Sequence, residues 1–222
     1  MAGQVKSRER VQEHGEVFTN EREVNAMLDL VKQETERIDS RFLEPACGDG
    51  NFLAEVLRRK LAVVAKRYSR SPQEYMRYVF VAVSSIYGVD IMTDNVAECR
   101  QRLLRIVEAA ARDAIGKQVE QAFLDAIRYV LEKNVLCGDA LTMVQDDGSP
   151  IIFSEWSMVT GDLVKRKDYR LDELMAGGDT KQGDQLSLFQ TGWEYDSEID
   201  GLIPASIREY PPVDYREVSK NG

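Results

Sequence analysis

The segment Glu44-Pro45-Ala46-Cys47-Gly48-Asp49-Gly50-Asn51-Phe52 constrains this chain more than any other. It stands between a short apolar run, Arg41-Phe42-Leu43, and a stretch from about Asn51 to Lys66. In that stretch Phe52, Val56, Leu57, Leu61 and Val64 are spaced for burial on a helix. Two glycines one residue apart at such a junction let the backbone approach a ligand closely, where side chains would clash. The first N–H groups of the helix then face that ligand. A lone Gly-x-Gly is a weak signal, since turns often carry glycines. Its weight depends on what the fold brings beside it.

The rest of the first two-thirds alternates helices with short strands. From Glu21 to Glu36 the apolar residues Val24, Met27, Leu28 and Val31 recur at helical spacing. Ser71-Pro72 with Glu74 reads as an N-cap and first turn, opening a helix to about Ser84. Ile86 to Asp90 reads as a buried strand ending in a carboxylate. Thr93 or Asp94 is placed to cap a long helix through Leu103, Leu104, Val107 and Ala110, broken by Gly116. A helix from about Val119 to Glu132 follows, then a strand, Asn134 to Cys137, ending at Gly138-Asp139. This order predicts an α/β fold, a mostly parallel sheet with helices on both faces. Ligands of such sheets sit beyond the carboxyl ends of the strands. The loops at Glu44–Gly50, Asp90 and Gly138-Asp139 all leave such ends and should converge.

Beyond the turn Asp146-Asp147-Gly148-Ser149-Pro150 the pattern weakens. Ile151 to Val159 reads as one or two strands, and Asp168 to Met175 as a short helix. The Gly-, Asp- and Gln-rich stretch from Ala176 to about Gly192 predicts a mobile loop. Pro204 and Pro211-Pro212 predict an extended C-terminal arm rather than a packed element. Residues 1–165 are expected to form the main domain and 166–222 a short, partly flexible extension.

Composition narrows the function classes. The chain is 43% hydrophobic and 30% charged, as soluble globular proteins are. No apolar run approaches the roughly 20 residues that cross a bilayer, and the polar start lacks a secretory core. A cytoplasmic protein without a membrane role is expected. Cys47, Cys99 and Cys137 form no CxxC pair and His14 is the only histidine, which argues against a metal site. A formal net charge of −9 argues against gripping nucleic acid by bulk electrostatics. Basic clusters at Arg58-Arg59-Lys60, at Lys66-Arg67 with Arg70, and at Lys165-Arg166-Lys167 read first as solvated faces.

Asp90 is placed to accept hydrogen bonds from both hydroxyls of a ribose, as acidic residues there do in dinucleotide folds. Asp139 is placed to accept from an adenine amino group. Taken singly, each carboxylate reads as well as a cap or turn residue. Together with the glycine loop they are harder to explain that way.

Glu44-Pro45-Ala46-Cys47-Gly48-Asp49-Gly50-Asn51-Phe52-Leu53 resembles the cofactor loop of the N6-adenine DNA methyltransferases of restriction–modification systems. Gly15-Glu16-Val17-Phe18-Thr19-Asn20, followed by Val24, is similar to that family's N-terminal motif G-x-x-F-T-P-x-x-V, with Asn20 in place of proline. The resemblance covers about residues 11–145. It implies a Rossmann-like class I methyltransferase fold and S-adenosyl-L-methionine as cofactor. It implies Phe18 and Thr19 at the methionine end, Glu44 near the amino acid moiety, Asp90 on the ribose and Asp139 on the adenine. The full set it implies adds Pro45, Ala46, Gly48, Gly50, Asn51, Phe52, Ile91 and Ala140.

The family's catalytic Asn-Pro-Pro-Tyr should follow at the end of the fourth strand, where it holds the flipped base. Here the corresponding stretch is Ile151-Ile152-Phe153-Ser154-Glu155-Trp156-Ser157-Met158, and the catalytic residues stay unassigned. Tyr210-Pro211-Pro212-Val213 has no Asn before it and reads as a turn in the tail. Three readings follow. The chain is an adenine-specific DNA methyltransferase, with divergent catalytic groups or a partner that supplies base recognition. Or it is a non-catalytic cofactor-binding subunit or regulator of such a system. Or it methylates another substrate, with Glu155 or Trp156 shaping the pocket.

Overall fold

The computed structural model describes residues 19–176, 193–196 and 201–220. Helix α1 (Glu21–Leu30) starts behind Asn20, whose side chain accepts a hydrogen bond from the Glu23 N–H at 3.0 Å. Asparagine is among the strongest N-caps, which gives this residue a local role where the family motif carries proline. The helical run expected to Glu36 breaks at Val31, and a single turn, α2 (Lys32–Thr35), follows. Val24 and Leu28 are buried, whereas Met27 and Val31 stay exposed.

Strand β1 (Phe42–Glu44) runs through the glycine loop into α3 (Asn51–Tyr68). Helix α4 (Pro72–Ser84) begins as the sequence predicts, with the Ser71 side chain accepting from the Glu74 N–H. Strand β2 (Ile86–Asp90) is buried along its whole length. Helix α5 (Thr93–Ile115) is not capped by Thr93 or Asp94: its N-cap is Met92, which has no oxygen to offer. Asp90 substitutes, its Oδ1 accepting the Met92 N–H at 2.9 Å. Helix α6 (Gln121–Asn134) leads into β3 (Val135–Cys137).

The three strands form a parallel sheet in the order β1-β2-β3, with Leu43 beside Tyr87 and Val89 beside Leu136. Both crossovers step the same way across the sheet, and right-handed crossovers then lay their helices on one face. Accordingly α3 to α6 share one core with Phe42, Ile86 and Val135. The long helices thus lie on one face of the sheet, where helices on both faces were expected. The other face, carrying Tyr87, Val89 and Leu136, is covered by Ile151 and Phe153 and by Leu171 of the short α7 (Leu171–Ala176).

The sheet is also less extensively parallel than expected. Strand β4 (Ile152–Met158) pairs antiparallel with β5 (Leu163–Arg170) over its full length, reversed through Gly161 at φ +59°. Strands β6 (Trp193–Asp196) and β7 (Gly201–Pro204) form a separate antiparallel pair, while β8 (Arg208–Glu209) and β9 (Val213–Asp214) both add to β5. The helix expected from Asp168 starts at Leu171 because Asp168 to Arg170 complete β5. Position 165 lies inside β5, and the loop expected beyond Ala176 falls outside the described residues. The C-terminal arm is extended, yet it is packed. Pro211 and Pro212 sit between two short edge strands, and Tyr215 and Val218 of the turn Tyr215–Lys220 are buried against the main core.

Two buried cations hold these pieces together, and neither is a solvated face. Lys60 of α3 is fully buried; its ammonium donates to Ile38 O at 3.1 Å, to Ser85 Oγ at 2.5 Å and to Ser40 O. It ties α3 to the starts of β1 and β2, and burial pushes its pKa down to about 7. Arg166 of β5 makes two bonds to Asp168, at 2.8 and 2.9 Å, and one to the Tyr129 hydroxyl at 2.7 Å. Asp168 also accepts from Ser154 Oγ at 2.7 Å and from the Tyr210 hydroxyl at 3.1 Å.

Candidate functional site

The glycine loop is shaped by its own backbone and by what lies behind it. Gly48 (φ +53°) and Gly50 (φ +89°) both adopt left-handed conformations. The Gly50 N–H closes a turn onto Cys47 O at 2.9 Å, and the first bond of α3 runs from the Ala54 N–H to Gly50 O at 2.8 Å. The N–H groups of Asn51, Phe52 and Leu53 therefore have no acceptor within α3. Its N-cap, Gly50, has no side chain to cap the helix start. A Cβ on Gly50 would lie 2.6 Å from Cys99 Sγ, so glycine here also permits the close approach of α5.

Hydrogen bonds stitch the three strand ends together. The Cys47 N–H donates to Val89 O at 2.8 Å and the Gly138 N–H to Asp90 O at 3.0 Å. The Asp90 carboxylate is buried: Oδ2 accepts the Gly48 N–H at 2.9 Å, and Oδ1 accepts the Met92 N–H at 2.9 Å and Asn95 Nδ2 at 3.2 Å. Asp139 organises the turn after β3. Its Oδ1 accepts the Leu141 N–H at 2.8 Å, and this bond with those from Thr142 holds its carboxyl below the usual range. Glu44, half-buried at the end of β1, has its carboxyl pushed up by burial and drawn partly back by the Ala46 N–H.

The structure thus brings Glu44, Gly48, Gly50, Asp90 and Asp139 to one end of the sheet. Pro45 and Ala46 are exposed along the loop, and Asn51 and Phe52 are half-buried at the helix start. Ile91 is 44% exposed beside Asp90, and Ala140 follows Asp139 half-buried. Thr19 is exposed just ahead of α1, while Phe18 lies outside the described residues. Sequence reasoning missed Arg102 of α5, which binds Asp49 Oδ2 at 2.5 Å and also Asn51 Oδ1. It also missed the contact of the buried thiols: the neighbouring Cys99 and burial hold the Cys47 thiol far above its ordinary range.

The stretch expected to shape the substrate side goes elsewhere. Strand β4 starts near the site, since a Cβ on Gly138 would meet Ile151 at 2.9 Å. It then runs down the sheet toward the opposite end. There Glu155 pairs with Arg41, just ahead of β1, and the Tyr87 hydroxyl donates to Ser154 O at 3.3 Å. A cleft of about 570 Å³ lined by Ile38, Arg41, Ser85, Trp156 and Met158 marks that end. The Trp156 ring packs edge-on to Phe80 and Tyr129, at 6.0 and 6.1 Å. Glu155 and Trp156 therefore lie away from the glycine loop and line the cleft at the opposite end of the sheet. Tyr210 of the Tyr-Pro-Pro-Val segment stacks on Arg166 at 4.3 Å, a structural contact. Among the described residues no cluster of His, Cys, Asp and Glu is arranged to hold a metal, and no helix is long and apolar enough to cross a membrane.

With this geometry in view, the chain matches DNA methyltransferase A of Bacillus subtilis (strain 168), 26% identical over 164 residues. It is distantly similar to a DNA methyltransferase. The match takes in 70% of this chain but 18% of the relative, so the chain spans under a fifth of that protein's length. No family model matches, and no solved structure matches. The mixed α/β architecture with its parallel three-stranded sheet fits a methyltransferase-like fold.

Proposed function

We propose that this chain is the S-adenosylmethionine-binding part of a DNA methyltransferase acting on adenine N6, in a restriction–modification or phage-defence setting. The observation that carries the reading is the stitched convergence of the glycine loop, Asp90 and Asp139 at the carboxyl ends of three parallel strands. The distant likeness to a DNA methyltransferase supports it.

The residues present fit the cofactor. The loop leads into the start of α3, where the Asn51, Phe52 and Leu53 N–H groups have no acceptor within the helix and suit a carboxylate. Glu44 would meet the amino group. Each carboxylate oxygen can accept two hydrogen bonds, and Asp90 Oδ2, which accepts the Gly48 N–H, would take a ribose hydroxyl as well. Asp139 would take the adenine amino group, with Ile91 against the ring. When bound, the cofactor's sulfonium supplies an activated methyl group, so the chain's task is chiefly to position it.

A second reading, a non-catalytic cofactor-binding subunit, is favoured by one specific observation. In doubly wound sheets the next parallel strand lies on the far side of β1. Among the described residues nothing pairs there, and Leu43 is 42% exposed, because β4 has turned away. The base-holding groups would then come from a catalytic or specificity partner. Calorimetric titration with S-adenosylmethionine, paired with transfer of labelled methyl groups to unmethylated plasmid DNA, separates the readings. No detectable binding overturns both; N6-methyladenine in the product supports the first, and binding without transfer supports the second.

A further inference from the structure

We propose that Arg102 is a positioning residue for the glycine loop, acting from α5 without touching the cofactor; this rests on the cofactor reading above. Its guanidinium reaches across to both residues that flank Gly50, binding Asp49 Oδ2 at 2.5 Å and Asn51 Oδ1. The two acceptors straddle the residue at which the chain turns left-handed and enters α3. A planar fork that holds both at once sets the direction in which the Asn51, Phe52 and Leu53 N–H groups point.

The rest of the loop is pinned from the other side. Asp90 holds the Gly48 N–H, and Cys99 packs directly behind Gly50. Cys99 and Arg102 both belong to α5, and Asp90 also accepts the N–H at the start of that helix. Loop and α5 are thus held as one body at three points. Arg102 is the polar tie that a side-chain change can release without removing a proposed cofactor contact. Its side chain is about a third exposed (30%), so its replacement leaves no large cavity. Asp49 has a second stake in the arrangement: its Oδ1 is buried with no donor among the described residues, which makes the bond to Oδ2 the anchor of that side chain.

The test compares Arg102→Ala, Arg102→Lys, Asp49→Asn and the double variant Arg102→Ala/Asp49→Asn. S-Adenosylmethionine affinity is read by calorimetry, and exchange of the Gly50 to Leu53 amides is read in ligand-free protein. Arg102→Ala should weaken affinity about tenfold, as loss of charge-assisted bonds does, and should speed exchange of those amides. Lysine, able to meet one acceptor at a time, should recover part of both effects. The double variant should be no worse than Arg102→Ala alone. Affinity within twofold of wild type in Arg102→Ala, or effects of the two changes that simply multiply, would overturn the proposal. If wild type itself binds no S-adenosylmethionine, the cofactor reading fails, and exchange alone then decides whether Arg102 holds the loop. If Arg102→Ala does not fold, the Lys and Asp49→Asn variants carry the same comparison.

Discussion

Replacing Gly50 by alanine probes the loop where two physical demands coincide. The backbone there has φ +89°, a region that costs an L-residue about 1–2 kcal/mol. The new Cβ would stand 2.6 Å from Cys99 Sγ and 3.3 Å from Cys99 Cα, closer than carbon and sulfur tolerate. Relieving such overpacking typically costs about 1–3 kcal/mol. Alanine returns about 0.4–1 kcal/mol by restricting the unfolded chain. The net expectation is a loss of about 1–4.5 kcal/mol, centred near 3, measured by urea unfolding with an unchanged denaturant slope. The double variant Gly50→Ala/Cys99→Ala removes the sulfur and leaves the strained backbone. It should therefore unfold at higher urea than Gly50→Ala alone, although Cys99→Ala by itself is destabilising. A loss below about 0.5 kcal/mol would show that neither demand acts at this residue, and no relief in the double variant would show that the contact with the sulfur does not.

Other expectations follow from the same contacts. Arg166→Ala leaves Asp168 buried without its partner and should cost about 3–5 kcal/mol in chemical unfolding, with earlier proteolysis near residues 205–220; a loss under 1 kcal/mol would refute this. Lys60 is pushed down to about 7 in the folded protein while the unfolded chain keeps its proton well above that pH. Stability should then rise between about pH 7 and 10, by up to roughly 1.4 kcal/mol per unit, and Lys60→Met should flatten that slope. Because burial raises the Glu44 carboxyl, S-adenosylmethionine affinity should fall as acidification protonates it. Glu44→Gln should bind more weakly at neutral pH and lose that dependence, as titrations across the acid range would show.

Much of the site was legible because local rules place it. Strand β2 coincides with Ile86–Asp90, the apolar run that ends in a carboxylate, and α4 begins at the Ser-Pro cap. The convergence of three loops follows from parallel strands whose connections share one hand. What escaped has a common cause, since it depends on partners distant in sequence. The apolar residues between Ile151 and Val159 predict a strand but not its direction, so β4's antiparallel course was not visible. Lys60 looks like part of a basic surface cluster, and only the carbonyls of Ile38 and Ser40 reveal otherwise. Alternation along β5 separates buried Arg166 from Lys165 and Lys167, which both reach Glu209. That signal was present, masked by three like charges in a row. Arg102 carried none: its acceptors lie about fifty residues upstream, across a helix crossing.

The three cysteines turn the loop's architecture into a counting assay. Cys47 and Cys99 are sealed beneath the glycines, whereas Cys137 is partly open, its sulfur 3.7 Å from Ile91 O and 3.9 Å from Asp146 Oδ2. Alkylation follows exposure, so the folded chain should take up one label, at the end of β3, and two more when the loop parts from α5. Mass spectrometry of one labelled sample then reports two events separately. Shielding of the first sulfur marks an occupied site, and arrival of the other two marks the moment at which the floor of that site comes apart.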